Sequence, residues 1–248
     1  MAGTVKWEHP VDTTDSSINY NAPSGVVTID NGIAYYLAPD DSHLYVYFVD
    51  LSGPTQNWRE DVSGGFFYLV KTDPVVANGK LYYVVADSGY SSAEHRLRAF
   101  DLQSRTEVID VVLPDGVQSD AMAVTDQGVY IVRDSFALVA FDAEDGTQLW
   151  DSGDLWYEDP ESGNNLPTYP VTNGVPIVVG DTVYLAASES LKTFLYGFDP
   201  LNGDKKWTTA IFTDGASKGP IGYANGTVFI TGDEVWALND DTAAESCW

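Results

Sequence analysis

The sequence predicts an all-β fold assembled from repeats, and three observations carry that prediction. A tight turn followed by an apolar strand recurs five times, as DNGIAYY at 30–36, ANGKLYY at 77–83, DQGVYIV at 126–132, GDTVYLA at 180–186 and ANGTVFI at 224–230. Behind each comes a second shared string: LYVYFVDLSGPTQNW at 44–58, LRAFDLQSRTEV at 97–108, LVAFDAEDGTQLW at 138–150, LYGFDPLNGDKKW at 195–207 and VWALNDDTAAESCW at 235–248. Runs such as 44–49 are rich in β-branched and aromatic residues and too short for helices, and proline or glycine interrupts nearly every window that could hold one. A fixed period of this length means stacked supersecondary units, none able to bury its apolar face alone.

In chain order, residues 1–7 come first. Their GTVKW string has the form of a final strand without the three before it, and it is read as an extra closing strand. It pairs either in the last unit or with a neighbouring subunit, because an uncovered strand edge invites another chain. The units then run at about 8–58, 59–110, 111–150, 151–207 and 208–248. The first, second and fifth turn at Asn31-Gly32, Asn78-Gly79 and Asn225-Gly226. Asn-Gly supplies the positive φ of a two-residue hairpin, so the strands it joins are antiparallel neighbours. Each unit therefore reads as a four-stranded antiparallel meander. With turns spaced 45–53 residues apart, five units fill the 248 residues as a single domain.

Asp50, Asp142 and Asp199 precede Trp58, Trp150 and Trp207 by eight residues. The second unit has Asp101 but ends in Val108, and the fifth has Asn239 in the aspartate's place, nine residues before Trp248. These strings resemble the PQQ-like, quinoprotein-type β-propeller repeat, whose tryptophan docking motif ends in a similar Asp, Gly and Trp pattern. The resemblance spans nearly the whole chain and implies a β-propeller, with five blades of four strands as the simplest count. Repetition at one position gives Asp50, Asp101, Asp142 and Asp199 a structural task, accepting backbone hydrogen bonds in the turn that follows. Trp7, Trp58, Trp150, Trp207 and Trp248 mark repeat ends and are assigned to packing between blades.

Composition constrains partners and setting. Thirty-seven acidic residues, 27 of them aspartate, face 12 lysines and arginines, for a net charge of -25. Spread through every loop, they describe a halophile's surface: at about 1 M salt the Debye length is roughly 3 Å, and carboxylate repulsion is screened. Nucleic acid is excluded as a partner, since no basic stripe exists to neutralise phosphates. The 44% hydrophobic and 13% aromatic content supplies a packed core rather than disorder. The single cysteine, Cys247, excludes an internal disulfide. No transmembrane run is present, and MAGTVKWEHP has neither a basic n-region nor an apolar h-region, so the expected setting is cytoplasm or virion, or the exterior if an export signal was removed.

No cofactor, metal ligand or catalytic residue is assigned. The resemblance raises quinone-dependent dehydrogenase chemistry with a calcium ion, but this chain has too few repeats, no vicinal cysteine pair and no matching Glu, Asn and Asp set. His9, His43 and His95 lack any nucleophile-elbow or HExxH context and are read as surface residues.

Strand alternation places the tight turns and the Asp-to-Trp turns on one face. The irregular segments 39–43, 87–95, 188–193 and the long link 151–174 fall on the other. Recognition on rigid scaffolds sits on variable loops, so the second face is the expected binding face. The link carries a tryptophan outside the repeat positions. Trp156, Tyr157 and Tyr169, with Asp154, Glu158, Asp159 and Glu161, form the candidate patch, suited to a protein, a cell-surface glycan or a cation. The expected function is a non-catalytic propeller that binds or scaffolds. The alternatives are a surface or receptor-binding subunit of a halophilic virus particle, with homo-oligomer or particle assembly, and a degenerate quinoprotein or five-bladed glycosidase.

Overall fold

The computed structural model describes residues 26–39, 43–53, 57–62, 68–87, 94–114, 116–133, 137–158, 165–170, 175–189, 192–212, 221–231 and 235–240. All regular structure among them is β-strand apart from one helical residue at Asp240. Two compact units divide the chain, Met1–Pro114 and Asp115–Trp248.

The first unit holds two sheets. β1 (Thr28–Asp30), β2 (Ile33–Pro39), β3 (Leu44–Asp50) and β4 (Asn57–Asp61) pair in sequential antiparallel order. The second sheet comprises β5 (Tyr68–Val70), β6 (Val75–Ala77), β7 (Lys80–Asp87), β8 (His95–Asp101) and β9 (Thr106–Val112). Here β5 and β6 share one edge of β7, β5 on Val85–Asp87 and β6 on Lys80–Tyr82. The expected first strand is thus present in two pieces, broken around Thr72 and Pro74. The break keeps its hydrogen bonds: Thr72 Oγ1 accepts from the Val84 amide at 2.9 Å, and the Lys71 amide donates to the Val84 carbonyl at 2.8 Å.

The second unit holds the rest. β10 (Val117–Val124), β11 (Gly128–Arg133), β12 (Leu138–Asp142) and β13 (Gln148–Asp151) form a four-stranded sheet. A two-stranded ribbon follows, β14 (Trp156–Glu158) against β15 (Asn165–Pro167). The next sheet contains β16 (Tyr169–Pro170), β17 (Ile177–Val179), β18 (Thr182–Glu189), β19 (Lys192–Phe198) and β20 (Lys205–Phe212), with β16 and β17 again sharing an edge of β18. β21 (Ile221–Ala224), β22 (Thr227–Thr231) and β23 (Val235–Asn239) complete the described strands. The five larger sheets are consistent with propeller blades, one per repeat.

The turns follow the sequence chemistry. Asn31 and Gly32, Asn78 and Gly79, and Asn225 and Gly226 all have positive φ, between 48° and 80°, as a two-residue hairpin turn with matched twist requires. The third sheet turns differently. Thr125 Oγ1 accepts from the amides of Gln127 and Gly128, and Gly128 is already the first residue of its strand.

Cores form where neighbouring sheets face each other. In the first unit Leu37, Leu44, Val46 and Phe48 meet Leu81, Tyr83, Val85 and Phe100. In the second, Tyr130, Val132, Leu138 and Trp150 meet Val183, Leu185, Phe194 and Tyr196, and Tyr184, Ala186, Leu195 and Ile211 meet Ile221, Val228, Ile230 and Leu238. His95 is one of the few buried polar residues, which corrects the expectation of a surface histidine: it opens β8 inside the pleat.

The packing makes one glycine distinctive. A Cβ on Gly203, whose φ is +75°, would lie 2.6 Å from Trp150 Cε3, whereas one on Gly32, at φ +80°, would meet nothing within 4 Å. Both alanine variants incur the left-handed backbone cost of about 1–2 kcal/mol. Gly203→Ala should exceed Gly32→Ala by at least about 1 kcal/mol in urea denaturation, because the indole must also move. Equal losses would show that the Trp150 contact is slack.

Candidate functional site

Asp50, Asp101 and Asp142 end the third strands of their sheets and Asp199 directly follows one, each accepting hydrogen bonds from the turn beyond it. Asp50 accepts from the Ser52 amide at 2.7 Å, and Asp101 from the Gln103 and Ser104 amides and the Ser104 hydroxyl. Asp142 accepts from the amides of Glu144 and Asp145, and Asp199 from Leu201. Backbone bonds close all four turns, from the amide of Gly53 to the Asp50 carbonyl, Arg105 to Asp101, Gly146 to Asp142 and Gly203 to Asp199. Asn239 occupies the equivalent register, opposite Thr227 as Asp142 is opposite Gly128.

Register also places the tryptophans. Trp58, Trp150 and Trp207 each lie opposite the residue two before the aspartate: Phe48, Ala140 and Gly197. In the second repeat that position, opposite Ala99, belongs to Ile109 and not Val108. Ile109 is buried and Val108 is 45% exposed. The aspartate-to-indole spacing of eight residues, not the last apolar letter of the string, was the signal to follow. Trp7 and Trp248 lie outside the described residues.

Trp150 shows what this position does. Its Nε1 donates to the Pro200 carbonyl at 2.8 Å, and its ring covers Gly203, so the indole of one sheet is fastened to the aspartate turn of the next. Trp58 is held otherwise: it stacks on Phe48 at 5.2 Å, and the Arg105 guanidinium lies over it at 4.5 Å. Arg105 occupies the place of Gly203 in its own repeat and likewise has positive φ, +59°. A cation over an indole thus replaces a glycine beneath one. Trp207 lies across Gly197 and packs into the core shared by the last two sheets.

The connection at 151–174, expected to be an irregular loop, contains the β14–β15 ribbon instead. Its approach is fixed by side chains. Arg133 pairs with Asp151 at 2.7 Å, Ser152 exchanges hydrogen bonds with the Leu138 backbone through its hydroxyl and amide, and the Gly153 amide donates to Asp151 Oδ1. Leu155 is buried in the core of the two flanking sheets. The return is fixed at Thr168, whose amide and hydroxyl both donate to the Leu155 carbonyl and whose oxygen lies 2.6 Å from the buried Tyr196 hydroxyl. Lys205 Nζ reaches the Trp156 carbonyl at 3.4 Å.

Between these anchors 43% of the surface of Trp156 is exposed, and Asp154, two residues before it in the chain, is exposed too. Tyr157 and Glu158 continue the β14 backbone, and their side chains lie outside the described residues. Tyr169 is separated from this patch by role: its backbone begins the next sheet, opposite Ser188. The anchoring of the ribbon was not legible in sequence, because Thr168, Tyr196 and Ser152 become partners only on folding.

Among the described residues, no group of three or more His, Cys, Asp or Glu is placed to hold a metal ion. None of their helices is long and apolar enough to cross a membrane.

Residues 92–245 match the family model described as outer membrane protein assembly factor BamB. The chain belongs to this BamB-like family of PQQ-like β-propeller repeats. No curated protein matches the sequence significantly. Among solved structures, BamB from Moraxella catarrhalis is 14% identical, with a TM-score of 0.55 over 84% of this chain and 61% of that one. A europium-containing methanol dehydrogenase is 12% identical, with a TM-score of 0.54 over 94% of this chain and 55% of that one. The quinohemoprotein alcohol dehydrogenase ADHIIG from Pseudomonas putida HK5 is 14% identical, with a TM-score of 0.53 over 86% of this chain and 41% of that one. The chain thus spans between 41% and 61% of the length of these structures, and the likeness is one of fold.

The aspartate turns carry a pH signature. The Ser104 amide and hydroxyl hold the Asp101 carboxyl below its ordinary value of 3.8. A depressed folded value contributes stability that is present above 3.8 and lost as the pH falls through the folded value. Asp101→Asn keeps an acceptor but does not titrate. Its thermal midpoint should therefore fall less than that of the wild type between pH 5 and pH 2, and parallel curves would show that Asp101 contributes nothing to acid sensitivity.

Proposed function

We propose that this chain is a non-catalytic recognition propeller that binds a protein partner through the ribbon between its third and fourth sheets, in a high-salt setting. The observation that carries the reading is the exposure of Trp156 on a segment anchored at both ends. An aromatic ring held in place offers large contact area without the entropic cost of ordering a loose loop. The family description, an assembly factor, favours a protein as the partner over a small-molecule substrate. The net charge of -25 favours a setting in which carboxylate repulsion is screened.

Two measurements test these statements. Trp156→Ala should leave the thermal midpoint nearly unchanged, because the ring lies outside the cores, yet weaken capture of the partner from the native source by about 1 kcal/mol or more. A variant that unfolds, or that captures as well as the wild type, places recognition elsewhere. Independently, the thermal midpoint should rise with potassium chloride towards molar concentration. A flat or falling series removes the high-salt setting and leaves the recognition reading in place.

A further inference from the structure

The β14–β15 ribbon has two edges, and the hydrogen bonds between its strands decide what each presents. The Thr168 amide donates to the Leu155 carbonyl at 3.0 Å, which makes Leu155 and Thr168 a hydrogen-bonded pair at the base of the ribbon. Hydrogen-bonded and non-hydrogen-bonded pairs alternate along an antiparallel ladder. Trp156 opposite Pro167 is therefore a non-hydrogen-bonded pair, Tyr157 opposite Leu166 a hydrogen-bonded one, and Glu158 opposite Asn165 again non-hydrogen-bonded. The backbone groups of Trp156 and Glu158 point out along the far edge of β14, and those of Asn165 and Pro167 along the far edge of β15.

The two edges are not equivalent. Pro167 has no N–H, so the β15 edge lacks a donor that an added strand would need. The β14 edge keeps the N–H groups of both its outward residues, and β14 pairs with no strand but β15 among the described residues. One side chain stands against it: the exposed Lys205 places Nζ 3.4 Å from the Trp156 carbonyl, a long contact for a hydrogen bond. A lysine on a strand edge guards it against indiscriminate pairing.

We propose that the far edge of β14 takes up an extended segment of the protein partner as a third strand, with Lys205 giving way and the Trp156 ring packing on a side chain of the added strand. The backbone fixes the chemistry of the occupant. Outward residues two positions apart present donors and acceptors at intervals of roughly 7 Å, which alternate residues of another strand match and a helix, its own backbone groups already paired, does not. Strand addition draws affinity from main-chain bonds and selectivity from the side chains beside them, and the half-exposed Trp156 ring supplies the second. The anchors at Ser152, Leu155 and Thr168 hold the edge in strand geometry before the partner arrives, so little order is lost on binding.

Strand addition rests on the proposed recognition role, and the test separates the two. Random dodecapeptides displayed on phage are selected against the full chain in molar potassium chloride, where net charge is screened, and the tightest binder is resynthesised with its odd-numbered or its even-numbered amides methylated. An added strand turns alternate amides towards its neighbour, so methylation of one set should weaken binding by at least about tenfold and of the other by no more than about twofold. In amide exchange followed by NMR, the unmodified peptide should slow the Trp156 N–H by at least about tenfold and affect the Tyr157 N–H, already turned to Leu166, far less. Trp156→Leu should weaken binding by about two- to tenfold, and Lys205→Ala, which only clears the edge, should bind at least as tightly as the wild type.

Equal loss from the two methylated sets, an unchanged Trp156 amide, a Lys205→Ala variant that no longer binds, or a selection that yields no binder would overturn strand addition. A peptide that needs the Trp156 ring but tolerates both methylated sets would keep the ribbon as a recognition element and reject the added strand. A peptide that needs neither the ring nor the Trp156 amide would remove both.

Discussion

The contact on which the second unit depends is the indole of Trp150 against the aspartate turn of the following repeat. A four-stranded sheet of this composition is apolar on both faces, and it is stable only between neighbours. Trp150 satisfies that need with its ring on Gly203 and its N–H on the Pro200 carbonyl. The turn it meets is itself preset by Asp199, which accepts from the Leu201 amide, and by the Gly203 amide bonded back to Asp199. One repeat's aspartate therefore shapes the seat for the previous repeat's tryptophan. Within one repeat the aspartate and the tryptophan are kept eight residues apart by the register of the third and fourth strands, whereas the letters between them vary.

The departures from this rule show where the packing has slack. Ile109 takes the tryptophan's position in the second repeat and is still buried, so the position requires apolar volume more than an indole as such. Arg105 stands where Gly203 stands two repeats later, with the same sign of φ, and covers Trp58 from above. At Gly203 the Trp150 ring rests on a bare backbone; at Arg105 the Trp58 ring is covered by a planar cation. The two solutions answer one geometric demand, that an indole on an outer strand be shielded from water.

The ribbon at 156–167 belongs to the same logic. An insertion between two sheets would ordinarily be loose, since it has no repeat position to occupy. Here it is joined to both flanking sheets, through Leu155 in their common core and through Thr168 on the Tyr196 hydroxyl. The anchored insertion leaves Trp156 facing solvent, an exposed apolar area outside the cores of the sheets.

By itself the sequence determined the strand content, the five repeats, the Asn-Gly hairpins and the recurring aspartates, because each is a local property: alternation, turn chemistry and spacing act within a few residues of one another. The exception of Trp156 to the repeat was equally visible, since it needed only counting. Tertiary structure alone decided the rest. It split the first strands of two sheets, moved the tryptophan position from Val108 to Ile109, buried His95, assigned Tyr169 to a sheet and turned the 151–174 link into an anchored ribbon. These outcomes depend on bulges, on hydrogen bonds such as Thr168 to Tyr196, and on volumes shared between sheets, which pair residues far apart in the chain and leave no periodic trace in it.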